Sequence, residues 1–204
     1  VSEPQLQIRV IPVTPLQQNC SLIWNEETKN AAFVDPGGDV EKLVGALDHF
    51  GLKLTRIWLT HGHVDHAGAA DELRERFGVA VEGPHEADQF WLDQIEDAAA
   101  RYNVPGLRNV KPDRYFTDGQ VLDFEGVRFD VSHTPGHTPG HVVIHNRDAR
   151  IAFVGDVLFA GSIGRTDFPQ GNHQQLIDSI TQKLWPLGDD VAFVPGHGPT
   201  STFG

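Results

Sequence analysis

Three imidazoles and one carboxylate fall within the six residues His61-Gly62-His63-Val64-Asp65-His66. The preceding run, Arg56-Ile57-Trp58-Leu59-Thr60, is short and apolar and reads as a buried strand. The following Ala67-Gly68-Ala69-Ala70-Asp71-Glu72-Leu73 reads as the start of a helix. The cluster therefore sits on a loop at the C-terminal end of a strand, where α/β proteins place their chemistry. Side chains two apart on an extended segment share a face, so His61 and His63 can clasp one ion. Asp65 and His66, just past the turn, can clasp a second ion alongside. Imidazole nitrogen and carboxylate oxygen without thiolate suit zinc, iron or manganese rather than calcium or magnesium. Solvated loop histidines are the plain alternative, and four candidate ligands in six residues directly after a strand disfavour it.

The chain has 204 residues, enough for one domain with a sizeable core, and no low-complexity linker divides residues 1–204. Its net charge of −12 comes without a basic stripe, which argues against nucleic acid as a partner. The single cysteine, Cys20, cannot close an intrachain disulfide and fits a reducing compartment, so a cytoplasmic location is expected. Residues 1–5 carry no basic segment followed by an apolar one, and no secretory signal is expected. The sequence begins at Val1 rather than Met, so a leader removed earlier would leave no trace. No apolar run is long enough to span a bilayer, and no membrane partner is expected.

Strands are expected over residues 6–13, 18–24 and 31–34, the last fully apolar and hence central. Asp35-Pro36-Gly37-Gly38 is a turn, with Asp35 read chiefly as a carboxylate bonding local backbone amides. Asp39 is a candidate N-cap for a helix ending near Gly51. A helix over 69–77 leads to a short strand at 79–81. A further helix is expected over 87–101, preceded by His85 as a surface or capping histidine. Residues 102–118 read as a long loop. Strands at 120–124 and 127–131 form a hairpin about Glu125-Gly126. The prolines and glycines of Thr134-Pro135-Gly136-His137-Thr138-Pro139-Gly140-His141 exclude helix, so at most one or two of His133, His137 and His141 can reach one metal. Strands at 142–145 and 151–154 follow, the second ending at Gly155-Asp156. A helix over 174–184 is capped at Asn172, and a strand at 191–194 ends at Pro195-Gly196-His197. Four apolar strands thus end in loops bearing imidazole or carboxylate. Two sheets packed together with helices outside, their loops meeting at one rim, is the architecture this implies.

Those motifs, Thr60 to His66, Thr134 to Thr138, Gly155-Asp156 and Pro195 to His197, resemble the metallo-β-lactamase superfamily over essentially the whole chain. The resemblance implies an αββα four-layer sandwich, α/β in class, with two mixed sheets flanked by helices. Within the superfamily the short bacterial type II glyoxalase II branch is the nearest in pattern. Asn19-Cys20-Ser21-Leu22-Ile23-Trp24, Val34-Asp35-Pro36-Gly37-Gly38 and Gly164-Arg165-Thr166-Asp167-Phe168-Pro169 carry that finer likeness. Carried over by motif position, His61, His63 and His137 would hold one metal, Asp65, His66 and His197 a second, and Asp156 would bridge both. The cofactor implied is two divalent ions per chain, with zinc expected and iron or manganese as alternatives. His133, His141, His145 and His173 are then neighbours of the ligands or surface residues.

Two cations about 3.5–4 Å apart can trap a water and lower its pKa to about 7, giving a nucleophilic hydroxide. One cation then steadies the oxyanion that develops on the acyl group. A thiolate, from a thiol of pKa roughly 8.5, leaves without a strong general acid. Asp65 is a candidate to orient the water or shuttle its proton. No Gly-x-Ser-x-Gly elbow is present, and Cys20 reads as a small buried hydrophobe rather than a nucleophile. The resemblance therefore implies a small-molecule acyl thioester as partner, the glutathione conjugate S-D-lactoylglutathione. The longer glyoxalase II enzymes hold glutathione with a C-terminal helical region, which is not expected in a chain that stops at Gly204. Arg165 stands where they have a lysine. It is read equally as a carboxylate contact and as a loop-fixing partner of Asp167 or Asp156. The alternative function is a mononuclear-iron persulfide dioxygenase of the same superfamily, and a degenerate binding module ranks below both.

Overall fold

Adjacent residues of the central strands are buried in different cores. Phe33 faces one cluster with Leu22, Leu43 and Ile57, while its neighbours Ala32 and Val34 face another with Trp58, Phe129 and Ile144. Val142 and Ile144 share that second cluster, and Val143 between them joins a third with Val154, Leu176 and Phe193. A strand whose successive side chains point to opposite faces can bury both only between two covering layers. The three cores therefore require four layers, helices on each outside and two sheets between.

The computed structural model describes residues 5–204 and shows that arrangement. Residues 1–4, on which part of the expectation about a secretory signal rests, lie outside the described residues. The first sheet has the order β1 (Leu6–Val13), β2 (Gln18–Asn25), β3 (Asn30–Val34), β4 (Lys53–Trp58), β5 (Ala80–Glu82). In the second, β6 (Val121–Phe124) pairs with β7 (Val127–His133), which is followed outward by β8 (Val142–Asn146), β9 (Ile151–Gly155), β12 (Ala192–Pro195) and β13 (Ser201–Thr202). A ribbon of β10 (Leu158–Phe159) and β11 (Ser162–Ile163) stands apart. Both sheets are mixed: β3, β4 and β5 run parallel, as do β9 and β12, and the remaining pairs are antiparallel. Among the described residues no helix is long and apolar enough to cross a membrane.

This topology brings the motif loops together. The C-terminal ends of parallel strands lie at one edge, so β3, β4, β9 and β12 deliver Asp35, His61, Asp156 and His197 to the same rim. β8 runs antiparallel to β9, so the β7–β8 loop bearing His137 opens there too. A hydrogen bond from Val142 N to Thr60 O (2.8 Å) ties the two sheets at that edge.

The helices depart from expectation at three points. Asp39 precedes α1 (Val40–Phe50) but does not cap it. Its φ is 53°, and its Oδ2 instead accepts from Thr14 N at 2.7 Å. Residues 64–67 form a separate turn, α2 (Val64–Ala67), ahead of α3 (Ala70–Phe77). The expected single helix over 87–101 is broken into a 3₁₀ turn (Glu86–Asp88), α4 (Gln89–Leu92) and α5 (Ile95–Arg101). The later loop has entered its ladder. Leu92 O accepts from Val110 N (3.2 Å), Glu96 N donates to Asn109 Oδ1 (2.9 Å), and Gln94 Nε2 donates to Phe90 O (2.8 Å). Those bonds consume the carbonyls and amide that a continuous helix would pair internally. Elsewhere Asn172 caps α6 (His173–Ser179) by accepting from Gln175 N, and a π-helical turn (Ile180–Leu184) extends it. His85 Nδ1 accepts from Ala87 N, the expected capping role.

Trp58 fills the space between the sheets, fully buried and edge-on to Phe129 (5.2 Å) and Phe124 (6.0 Å). Trp58→Ala is expected to cost about 3–5 kcal/mol, read as a lower denaturant midpoint at unchanged slope. A loss under about 1 kcal/mol would mean that this interlayer core is not the one described.

Candidate metal centre

The His61–His66 stretch changes backbone state half-way. His61 to His63 are extended, with His63 at φ −64°, ψ 148°. α2 then turns Asp65 and His66 back toward the same centre. Beside a group of Asp35, His61 and His66, the rim thereby collects two four-residue groups of donor atoms that lie within 4.8 Å of one another, His61, His63, His137 and Asp156 in one and Asp65, His66, Asp156 and His197 in the other. Asp156 is common to both. Its Oδ2 lies 3.6 Å from His61 Nε2, 3.5 Å from His137 Nε2, 3.2 Å from His66 Nε2 and 3.8 Å from His197 Nε2. His63 Nδ1 is 3.1 Å from His137 Nε2, and Asp65 Oδ2 is 2.9 Å from His197 Nε2. All seven sequence-predicted candidates are thus assembled in one place.

The centre fits cations. His61 Nε2, His63 Nε2, His66 Nε2 and Asp156 Oδ1 are buried polar atoms without a hydrogen-bond partner. Leaving such atoms unpaired costs about 1–3 kcal/mol each, a cost that coordination would remove for His61 Nε2 and His66 Nε2, which face Asp156 Oδ2. The other nitrogen of most of these rings is already engaged. His66 Nδ1 donates to Asp35 Oδ2 (2.9 Å), His137 Nδ1 to Arg165 O (2.7 Å), His197 Nδ1 to Leu16 O (3.2 Å) and His61 Nδ1 to Thr60 Oγ1 (3.0 Å). Each bond selects the tautomer whose free Nε2 points into the centre.

Asp35 departs from expectation. It bonds no local amides: its Oδ1 accepts from Thr60 N (2.7 Å), and its Oδ2 accepts from Thr60 Oγ1 (2.6 Å) and His66. Position at the end of an apolar strand was the available signal. His141 is also part of the surroundings. It is fully buried, stacks on His61 at 4.5 Å and accepts from Asp156 N through Nε2 (3.1 Å). His133 stacks on His85 at 4.3 Å, His145 is buried beside Ser132, and His173 is exposed. Cys20 is buried within β2, and burial pushes its thiol pKa up, as befits a core residue.

Asp88 escapes sequence reasoning, since nothing marks it among the acids of its segment. It is fully buried, and its carboxylate accepts from Gly62 N (2.8 Å), Thr138 Oγ1 (2.8 Å) and Gly140 N (2.6 Å). One side chain therefore clamps the loop of His61 and His63 to the loop of His137. Burial raises its pKa to about 6, so at neutral pH it is ionised and accepts all three bonds.

The imidazoles differ in charge. Burial lowers His61 well below its ordinary value and His63 to about 3, so both stay neutral and free to coordinate. Burial also opposes protonation of His66, but Asp156 and Asp65 outweigh it and raise His66 well above the ordinary range. A metal entering that half must displace a proton.

In front of the centre lies a cavity of about 620 Å³. Trp91 and Phe168 wall it beside His63, at 4.6 and 5.0 Å between ring centres. Arg165 lines it as well, held bidentately by Asp167 (2.6 and 2.7 Å) and lying 4.1 Å over the Phe168 ring. The loop-fixing pair with Asp167 is therefore formed, and Asp156 takes no part in it.

Residues 13–197 match the model of the metallo-beta-lactamase superfamily. The chain belongs to this superfamily. It is 47% identical to the hydroxyacylglutathione hydrolase GloC of Haemophilus influenzae over 98% of this chain and 94% of that one. Among solved structures, BLEG-1, described as a B3 metallo-beta-lactamase, superposes with a TM-score of 0.88 at 38% identity, covering 97% of this chain and 94% of the other. TTHA1623 in a di-iron-bound form gives 0.85 at 33%, covering 96% and 94%.

Two outcomes are expected from this geometry. Asp88→Asn puts an amide N–H against one of three donors, and should weaken metal retention by His61, His63 and His137 roughly 10–100-fold in competition with a chelator. Undiminished retention would remove Asp88 from the support of the centre. In metal-free protein, His63 is neutral when folded, whereas the unfolded chain titrates at 6.5. Its contribution to stability is present above pH 6.5 and is lost as pH falls toward about 3. His63→Gln should flatten this acid limb by up to about 1.4 kcal/mol per pH unit, measured by denaturant titration across that range. An unaltered limb would mean that His63 is not held neutral.

Proposed function

We propose that the protein is a binuclear metallohydrolase of the glyoxalase II type that hydrolyses S-D-lactoylglutathione to D-lactate and glutathione, a step of methylglyoxal detoxification. The observation that carries this reading is the pair of donor groups sharing Asp156. In this reading His61, His63 and His137 would hold one ion, Asp65, His66 and His197 would hold the other, and Asp156 would serve both. Nitrogen and carboxylate donors suit zinc, with iron or manganese as alternatives. The relative named hydroxyacylglutathione hydrolase supports the substrate class.

Two bound cations would supply a nucleophilic water at neutral pH and steady negative charge on the acyl oxygen. The chain's own groups do the rest. Asp65 lines the cavity with its carboxylate directed at the cluster, where it can orient the attacking water and take up its proton. Trp91 and Phe168 keep solvent from the acyl carbon, and a drier site strengthens every charge interaction within it. The thiol half of the substrate leaves as thiolate and needs no dedicated acid. Arg165, fixed by Asp167, borders the cavity where a substrate carboxylate can approach. A cytoplasmic setting, where thiols stay reduced, fits both a glutathione thioester and the single buried Cys20.

Metal analysis and thioester turnover on one sample of wild type and Asp156→Ala test the reading. The expected result is about two metals per chain with turnover in the wild type, and a rate loss on the order of 100-fold or more with both metals depleted in the variant. A variant that keeps two metals and most of the rate would remove Asp156 from its shared role. One iron per chain, with oxygen uptake on glutathione persulfide and no hydrolysis, would replace the hydrolase by a dioxygenase.

A further inference from the structure

The walls of the cavity are unequal in charge. Its carboxylates, Asp65 and Asp156, both belong to the metal centre. Its two cations are Arg101 and Arg165. Arg165 is matched by Asp167, whereas the Arg101 guanidinium has no hydrogen bond or ion pair among the described residues. That is exceptional here. Every other arginine but Arg9 pairs with a carboxylate, and Arg9 lies over the Phe50 ring at 5.7 Å. In a chain of net charge −12, an arginine facing a cavity without an acid beside it marks a place for an anion that comes from outside.

The helix places it there. Gln94, Ala98 and Arg101 recur at the spacing of one helix face, and all three line the cavity. One N–H of the Gln94 side-chain amide donates to Phe90 O, which fixes the amide and leaves its second N–H to donate to a ligand and Oε1 to accept from one. From Gln94 to Arg101 the helix rises about 10 Å, the reach of an extended tripeptide.

We propose that Arg101, at the C-terminal end of α5, is a carboxylate-recognising residue of this cavity besides Arg165, with Gln94 accepting from an N–H of the same ligand. The proposal rests on the reading above only for the identity of the ligand, the peptide thiol half of a glutathione thioester. It assigns substrate selection to α5, whose position is set by the loop bonds from Asn109 and Val110 described above.

The test uses metal-loaded, full-length protein and two probes that cannot be hydrolysed at a thioester, S-methylglutathione and its dimethyl ester, titrated calorimetrically. Arg101→Gln is expected to weaken S-methylglutathione roughly five- to tenfold, the scale of a charge-assisted contact at a partly open site. The dimethyl ester, which lacks the anions, should change by less than about twofold. Arg101→Lys keeps the charge without the planar fork and should recover part of the loss. With S-D-lactoylglutathione, Arg101→Gln should raise KM and leave kcat nearly unchanged. Equal binding of S-methylglutathione by wild type and Arg101→Gln would overturn the proposal, as would an equal loss for both probes. A wild type that shows the binding difference but no thioester turnover would sink the hydrolase reading and leave the carboxylate site standing.

Discussion

Asp156 is 6% exposed, and one of its oxygens lies within 3.2–3.8 Å of four imidazole nitrogens. A buried carboxylate is tolerated only where opposite charge surrounds it. In the metal-free protein His66 provides that charge, and Asp156 is held well below the usual carboxylate range despite its burial. His61 and His63 remain neutral, so the half of the centre they share with His137 has no comparable compensation. The two halves are thus unequal before any ion arrives: burial keeps His61 and His63 neutral in one, while Asp156 and Asp65 favour a proton on His66 in the other. Cation binding to the neutral half meets no competing proton on His61 or His63, whereas binding to the other must expel one.

Holding so many polar groups in a buried rim falls to the backbone. The strands place the loops, but single side chains fix their spacing. Asp35 orients His66 and ties it to Thr60, His141 holds the Asp156 amide, and Asp88 joins the loops on either side of His137 and His63. Asn19 does the same for the last loop, donating through Nδ2 to Pro195 O (3.0 Å) and Gly198 O (2.9 Å). Glycines permit the approach. A Cβ on Gly196 would come within 2.2 Å of Asp156 Oδ1 and 2.4 Å of a His66 ring carbon, so only glycine lets this backbone pass so close. Buried groups fixed by neighbours from several distant segments give a centre that is preorganised rather than gathered by its ligand.

Most of this framework is legible in the sequence because it is local. The strand before His61, the alternation of β7, the cap at Asn172 and the proline-glycine loop around His137 all declare themselves within a few residues. What escapes is non-local. The break in the helix over 87–101 comes from Asn109 and Val110, and no period within 87–101 encodes it. Asp88 looks like any acid at a helix start until Gly62 and Gly140 are seen to donate to it. Asp35 could be placed at a strand end, but its partner is 31 residues away. Among His133, His137 and His141, spacing alone has no means of choosing. The choice falls to the direction in which a glycine-rich loop points each ring, which sends His141 behind Asp156 and His133 against His85.

The composition of the cavity wall narrows the chemistry that the centre can perform. Apart from five of the candidate ligands, its lining offers aromatic rings, aliphatic side chains, one amide, one serine hydroxyl, one phenol and two guanidinium groups. Neither guanidinium can give up a proton near neutral pH. Tyr102 is exposed at the C-terminal end of α5 rather than among the groups that meet at Asp156. A leaving group that departs as a strong base would therefore have to draw its proton from Asp65 or from solvent. A thiolate avoids that demand. The same wall that is poor in acids carries two guanidinium groups, Arg101 and Arg165, so it favours a substrate with negative charge on the part that does not react. Binding energy taken there is realised in reactant and transition state alike, so it concentrates the right substrate at the centre and shows in kcat/KM rather than in kcat.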